Sequence, residues 1–223
     1  MKKLLLSFVV AILVNSAFGQ HDLGLKLNGG TSLVNTNLTS SLDNQKVRFQ
    51  FSGQGGVYYN YGLPKHFMVG AELLWVQIEG KSITTSVMTD DLGRTTGYLI
   101  EKVWHNHSYL GLPVYFGYRI KNFSINLGFQ INYMLTGSSI DKVEVPGNGT
   151  TQTYETIHKK LSFDNFDYGP RIGITYSISK RFSVEANYYY GLNNLFPNNN
   201  PHYKCNIQQL TAGLRFKLFK ITE

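Results

Sequence analysis

The sequence contains few cysteine, proline and charged residues. Its 223 residues include one cysteine, Cys205, and six prolines, and only 16% are charged. A single cysteine cannot form an internal disulfide, which excludes a disulfide-stapled fold. After residue 19 no apolar run reaches the roughly 20 residues that a membrane-spanning helix needs, so no transmembrane helix is expected.

Glycine and aromatic residues are abundant instead. The chain has 22 Gly, 15 Tyr and 14 Phe. Low charge combined with many glycines and aromatics favours strands over helices. The length suits one domain, which we place at residues 20–223.

The first 19 residues read as a targeting segment. Lys2 and Lys3 precede an apolar stretch, residues 4–14, and residues 17–19 supply a small-x-small cleavage site. These features predict a signal peptide, residues 1–19, that is removed on export.

Alternating apolar and polar residues predict about eight strands. In the clearest, residues 47–61, Phe49, Phe51 and Val57 share one face and Arg48 lies on the other. Successive side chains of a strand point to opposite faces, so each such segment has one apolar and one polar face. The other segments are residues 23–33, 67–78, 108–118, 123–136, 166–177, 182–191 and 209–218. The segment 67–78 is the least regular, because Leu74, Val76 and Ile78 make both of its faces apolar at one end.

The connections alternate in length. Those near residues 62–66, 119–122 and 178–181 are short, whereas those near 34–46, 79–104, 137–161 and 192–206 are long and rich in Asn, Thr, Ser and Gly. This rhythm is typical of an all-β, up-and-down, antiparallel transmembrane β-barrel with short periplasmic turns and long extracellular loops. It places both termini in the periplasm.

The polar face is expected to point into the barrel. A soluble lipocalin-type barrel would expose a polar outer face to water. Here the face opposite the polar one is almost free of charge over several strands, which suits contact with lipid. The interior charge network comprises Lys26, Arg48, Glu72, Arg171, Glu185 and Arg215. Buried charges must be paired, so Glu72 and Glu185 should each lie beside an inward Arg or Lys. An eight-stranded barrel holds its own side chains or one small ligand, which favours a plugged interior over an open pore.

Two strands resemble a known family. Residues 109–118 (YLGLPVYFGY) and 184–195 (VEANYYYGLNNL) are similar to the YLEIPLLLKY and LELRYSYGLTNI strands of the PorT-like outer-membrane β-barrel family. The motif residues are Tyr109, Pro113, Tyr188, Gly191, Leu192 and Asn193. The resemblance implies a Gram-negative outer membrane of the Bacteroidetes type. Some members of that family are accessory to type IX secretion and gliding, and most have no assigned activity.

Three motif positions stand out. Gly111 replaces the family's Glu and Asn187 replaces its Arg, and both positions point inward by parity. We hypothesise that the two charges are partners in the family and were lost together here. Pro113 lacks a ladder donor, which predicts a bulge or local irregularity in its strand.

No motif supports catalysis or a cofactor. Candidate groups are His105 and His107, His158 with Ser162, and His202. The two imidazoles of residues 105–107 could chelate a metal, but no third ligand stands at a telling spacing, and no Ser–His–acid arrangement is recognisable. We therefore expect no enzyme, no metal and no cofactor, and nucleic-acid binding is implausible in this location.

The net charge of +7 is concentrated at the short turns. A basic rim without acidic neighbours comprises Lys65, Arg119, Lys121, Lys180 and Arg181. Contact with outer-membrane lipid or lipopolysaccharide is the first interpretation. Docking of an acidic periplasmic or cell-envelope protein is the alternative.

The leading functional prediction is a non-enzymatic, monomeric scaffold or accessory protein of the outer membrane, linked to type IX secretion. One alternative is a surface receptor or adhesin that uses the long loops, residues 79–104 and 137–161. A small pore is the other.

Overall fold

The computed structural model describes residues 21–38, 44–89, 95–146, 151–158, 165–195 and 203–221. The predicted signal peptide lies outside the described residues. Ten strands make up almost all of the described chain: β1 His21–Leu38, β2 Asn44–Arg48, β3 Gln50–Gly62, β4 Phe67–Thr89, β5 Thr95–Ile120, β6 Phe123–Pro146, β7 Thr151–His158, β8 Phe166–Ser177, β9 Phe182–Tyr190 and β10 Tyr203–Ile221. Among these residues, no helix is long and apolar enough to cross a membrane.

Eight of the strands close into a ring. Its order is β1, β3, β4, β5, β6, β8, β9 and β10, every neighbouring pair is antiparallel, and β10 pairs with β1 to complete it. His21 at the start of β1 lies opposite Ile221 at the end of β10, so both described ends of the chain lie at the short-turn end. The predicted all-β, eight-stranded, up-and-down barrel is confirmed.

The ring carries its apolar face outward. In β1, Leu25 and Leu27 point out, the latter with 72% of its surface exposed, whereas Asp22, Lys26 and Asn28 are buried inside. The same alternation recurs around the ring, and its exposed large hydrophobic side chains include Leu, Ile, Val, Phe, Tyr and Trp. A soluble protein does not expose an apolar band of this extent to water, so the outer face matches lipid.

The short turns are tightly built. The connection from β3 to β4 is a single 3-10 turn, Pro64–His66, in which Lys65 and His66 have φ of 59° and 70°. Lys121 turns β5 into β6 with φ of 53°. Between β8 and β9, the Ser179 hydroxyl accepts hydrogen bonds from the backbone N–H groups of Arg181 and Phe182.

The two longest predicted loops are mostly strand. β4 continues to Thr89 and pairs with β5 from Thr95, and β6 continues to Pro146 and pairs with β7. With β2, these strands form an antiparallel sheet beyond the ring, which we call the extension sheet. The expectation of long loops at residues 79–104 and 137–161 was wrong for the described parts of both ranges. Both faces of these strands are mixed in polarity, so they lack the alternation that marks the strands of the ring.

Pro113 interrupts one ladder without shifting its register. Residues Ala71 and Val114 pair between β4 and β5, as do Leu74 and Gly111, but the residues between them do not. Proline has no N–H to donate there. The irregularity at Pro113 is therefore a gap in its pairing with β4, and the register shift of β5 lies instead at Ser108/Tyr109, in its pairing with β6.

Candidate functional site

Five charged side chains meet inside the ring. Glu72 of β4 accepts hydrogen bonds from Lys26 of β1 at 2.9 Å, from Arg171 of β8 at 2.8 Å and from Arg215 of β10 at 2.5 Å. Glu185 of β9 is paired with Lys26 and Arg215. Glu72 is only 2% exposed. Five strands of the ring are thus joined across the interior, and we call this group the ion cluster.

Amide and aromatic groups complete the ion cluster. Asn28 donates a hydrogen bond to Glu185 at 2.6 Å. The Arg215 guanidinium lies 4.8 Å from the centre of the Tyr58 ring and donates to the Tyr115 hydroxyl at 3.4 Å. Tyr115 in turn donates to Asn60 at 2.7 Å. Such partners offset part of the cost of burying charge.

Arg48 is not part of this cluster. It is exposed in β2, where it pairs with Lys81 of the extension sheet. The sequence-based set was wrong at this residue, because the strand pattern of residues 47–61 is broken at Phe49, between β2 and β3. Parity could have found another inward group instead: Asp22, two alternations before Lys26, is ion-paired with Lys217 at 2.9 Å and with Arg119 at 3.5 Å.

The other end of the interior is closed by apolar side chains. These form one cluster of buried residues, which we call the apolar plug: Val34, Leu74, Val76, Ile78, Tyr109, Met134, Tyr189, Leu195, Cys205 and Ile207. Leu74, Val76 and Ile78 blurred the alternation of their strand because they point into this plug. Between the ion cluster and the plug lie polar pairs such as Gln54 with Thr211 at 2.7 Å.

The family-motif segment after β9 folds over the plug. Gly191 N–H donates to Ile207 O, Leu192 N–H to Tyr168 O and Leu195 N–H to Cys205 O, at 2.7, 2.8 and 3.0 Å. The side chain of Asn193 donates to Phe166 O at 2.6 Å. An added Cβ at residue 191 would lie 2.6 Å from the Asp167 carboxylate, so a larger residue there would have to displace that side chain.

The remaining motif residues have separate places. Tyr109 belongs to the apolar plug and Pro113 points inward. Tyr188 points outward, where its hydroxyl donates to Gln208 at 3.1 Å. Leu192 is 55% exposed.

The short-turn end carries a cationic cleft of about 760 Å³, which we call the basic cleft. Its lining residues are Arg119, Lys121, Asn122, Ser177, Ile178, Ser179, Lys180, Arg181, Lys217 and Leu218. Four of the five predicted rim cations line it, and Lys217 joins them. Lys65 lies on the β3–β4 turn, outside the cleft.

The histidines at the opposite end form no recognisable catalytic or metal centre within the described residues. His105 and His107 point inward from β5 with ring centres 5.8 Å apart. Burial lowers the pKa of His105 below its ordinary value, and the nearby Asp141 carboxylate offsets only part of this effect. The described chain holds no group of three or more metal-ligating side chains. Ser162, His202 and the side chain of His158 lie outside the described residues.

A smaller cleft of about 380 Å³ opens beside His105. Trp104 forms one wall, with the Lys81 ammonium 4.5 Å from its ring centre. Gln50, Glu79 and Ser138 add polar groups. We call this the Trp104 cleft.

Comparison with known proteins assigns the fold to a family. Residues 15–197 match the model of the outer membrane protein beta-barrel domain, and the chain belongs to this family. Its location is therefore the outer membrane. No curated protein matches the chain.

Solved structures with a similar arrangement share little sequence. Neisserial surface protein A has 12% identity and a TM-score of 0.41, covering 88% of this chain and 97% of its own. The attachment invasion locus protein Ail of Yersinia pestis has 11% identity and a TM-score of 0.35, covering 89% and 99%. The outer membrane protease OmpT from Escherichia coli has 13% identity and a TM-score of 0.39, covering 90% and 96%.

Proposed function

We propose that this outer-membrane β-barrel is a closed, non-enzymatic scaffold that binds partners at its two ends. The observation that supports this most is the filled interior. The ion cluster ties five strands together near the short turns, and the apolar plug fills the opposite end. An interior filled in this way by the described residues argues against a small pore.

The proposed orientation puts the short turns and both termini in the periplasm. Bacterial barrels have short periplasmic turns and longer extracellular loops. The extension sheet is then extracellular, and the basic cleft faces the periplasmic side. The barrel is proposed to act as a monomer, since its ring is closed by β1 and β10 of the same chain.

A more specific role as an accessory of type IX secretion, in a Gram-negative envelope, is supported by the PorT-like resemblance of residues 109–118 and 184–195. In this role the barrel would anchor a periplasmic or cell-envelope protein at the membrane. No substrate or cofactor is required for it.

Two measurements test the scaffold. Purified protein in planar bilayers should give no stable conductance, because the interior is occupied, and a steady open channel would overturn the closed-scaffold proposal. A deletion strain should lose secreted proteins from the medium and regain them when the wild-type gene is restored. Normal secretion in the deletion strain would remove the secretion role.

The second candidate is a surface receptor or adhesin. The extension sheet supports it, because it offers a broad surface beyond the ring together with the Trp104 cleft. A strain lacking residues 82–103 but retaining the ring would lose adhesion and keep secretion if this candidate is correct. Under the scaffold proposal, with the partner bound at the short-turn end, the same strain should keep both secretion and adhesion.

A further inference from the structure

We infer that the basic cleft is a binding site for the phosphate of an anionic phospholipid head group. Three of its cations have no counter-charge among the residues that the structure describes. Lys121, Lys180 and Arg181 are exposed, and none of them makes an ion pair within the described residues. Arg119 and Lys217, in contrast, are held by Asp22.

The cleft is fixed by the backbone rather than by mobile side chains alone. Ser177 N–H donates to Asn122 O at 2.7 Å, which ties the β8–β9 turn to the β5–β6 turn. Lys217 N–H donates to Arg181 O at 2.8 Å, which ties the same turn to β10. The cations therefore converge on a site whose frame is already formed in the free protein, which lowers the cost of binding.

The lining is amphipathic, and this selects the ligand class. Ile178 and Leu218, both exposed and apolar, line the cleft beside its cations. The rings of Phe182 and Phe216, tilted to each other with centres 5.0 Å apart, continue the apolar outer face next to it. An amphiphile can place its phosphate on the cations and its acyl chains along this face. A purely acidic ligand, such as a polyanion, would use the charge and leave the apolar part without a role.

The test is a titration of the full barrel in a zwitterionic detergent with short-chain phosphatidylglycerol. The cleft variant carries Lys121→Gln, Lys180→Gln and Arg181→Gln. The matched control carries Lys46→Gln, Arg48→Gln and Lys65→Gln, which remove the same charge outside the cleft. Heat-modifiable migration on gels should show that both variants fold like the wild type.

A cation close to an anionic lipid contributes about fivefold to affinity, so the cleft variant should bind roughly 100-fold more weakly. The control variant should change affinity by less than about threefold. Unchanged binding by the cleft variant, or equal loss in the control, would overturn the proposal.

Competition separates the alternatives. An excess of inorganic phosphate or of poly-glutamate should leave phosphatidylglycerol bound, because neither supplies acyl chains. Full displacement by phosphate would make this a general anion site, and full displacement by poly-glutamate would make it a protein-docking site. Either result rejects the lipid assignment. The measurement does not involve secretion or conductance, so it can fail while the scaffold proposal stands.

Discussion

At the scale of single residues, Glu72 is the centre of the interior. It accepts from three cations, so replacing it with Gln leaves Lys26, Arg171 and Arg215 to share the one carboxylate of Glu185. Removing one member of a buried ion network typically costs about 3–5 kcal/mol, because the remaining charges stay buried. We expect Glu72→Gln to lower the free energy of unfolding by that order, measured by urea titration in detergent.

The control for Glu72→Gln is the same substitution at Glu155. This carboxylate pairs with Lys142 at 2.9 Å on the exposed face of the extension sheet. Exposed pairs contribute at most about 1 kcal/mol. If the two variants lost equal stability, the ion cluster would not be what stabilises the ring.

A second residue-scale prediction concerns the positions where the family has charge. Gly111 and Asn187 both point inward, and a Cβ at residue 111 would lie 3.0 Å from Val76 and from Asn132. Gly111→Glu alone should be destabilising by about 3 kcal/mol or more, since its carboxylate would be buried without a cation. Adding Asn187→Arg should recover at least half of that loss in the same urea titration. A double variant no more stable than Gly111→Glu would refute the partner hypothesis.

The residues of the ion cluster illustrate what alternation can and cannot predict. Lys26, Glu72, Arg171, Glu185 and Arg215 all sit at inward positions of regular strands, so parity was enough to place them on one face. Arg48 shares the same parity but lies beyond the break at Phe49, where the ring no longer encloses its side chain. Which cation meets which carboxylate depends on strand register and barrel stagger, and neither is encoded in local pattern.

At the scale of elements, the segment that follows β9 closes the apolar plug. Leu195 is 1% exposed and its N–H is bonded to Cys205, whose own N–H donates to Asn194 Oδ1 at 2.8 Å. Cys205 is also 1% exposed and is the one cysteine of the chain. The rate at which a thiol reagent labels it therefore measures how readily the plug opens.

Leu195→Ala should open the plug. Removing a buried leucine side chain leaves a cavity and costs about 2–5 kcal/mol, here mostly in local stability because the segment lies outside the strands of the ring. We expect the rate at which a water-soluble maleimide labels Cys205 to rise at least about tenfold, which corresponds to about 1.4 kcal/mol of local opening. Leu192→Ala, in the same segment but 55% exposed, is the matched control and should leave the rate nearly unchanged. Equal labelling of both variants would show that Leu195 does not seal the plug.

The extension sheet marks the limit of sequence pattern at this scale. Residues 79–104 and 137–161 were expected to be loops because polar, Thr- and Ser-rich segments resemble connections. Their strand pairing instead depends on neighbours distant in sequence, such as Lys102 of β5, which pairs with Glu144 of β6 at 2.5 Å. Cross-strand pairs of this kind stabilise a sheet without producing an apolar face.

At the scale of the whole molecule, β4, β5 and β6 continue from the ring into the extension sheet. The ring pairings of β4 with β3 run from Met68 to Ile78, and those of β5 with β6 run down to Ile120. Residues 82–103 pair with one another and with parts of β2 and β6 beyond these limits. The ring should therefore fold without them.

Replacing residues 82–103 with Asn-Gly tests this division. Lys81 and Trp104 are cross-strand partners, so a two-residue turn can join them without changing register. We expect the shortened chain to keep heat-modifiable migration and to change the free energy of unfolding by less than about 1 kcal/mol, because the removed residues pair outside the ring and a two-residue connection is cheap to close. Glu72→Gln is the opposite case, since it keeps every strand and disrupts the interior. If the shortened chain failed to fold while Glu72→Gln remained stable, the stability of this protein would reside in the extension sheet, and the filled ring could not be the scaffold's stable core.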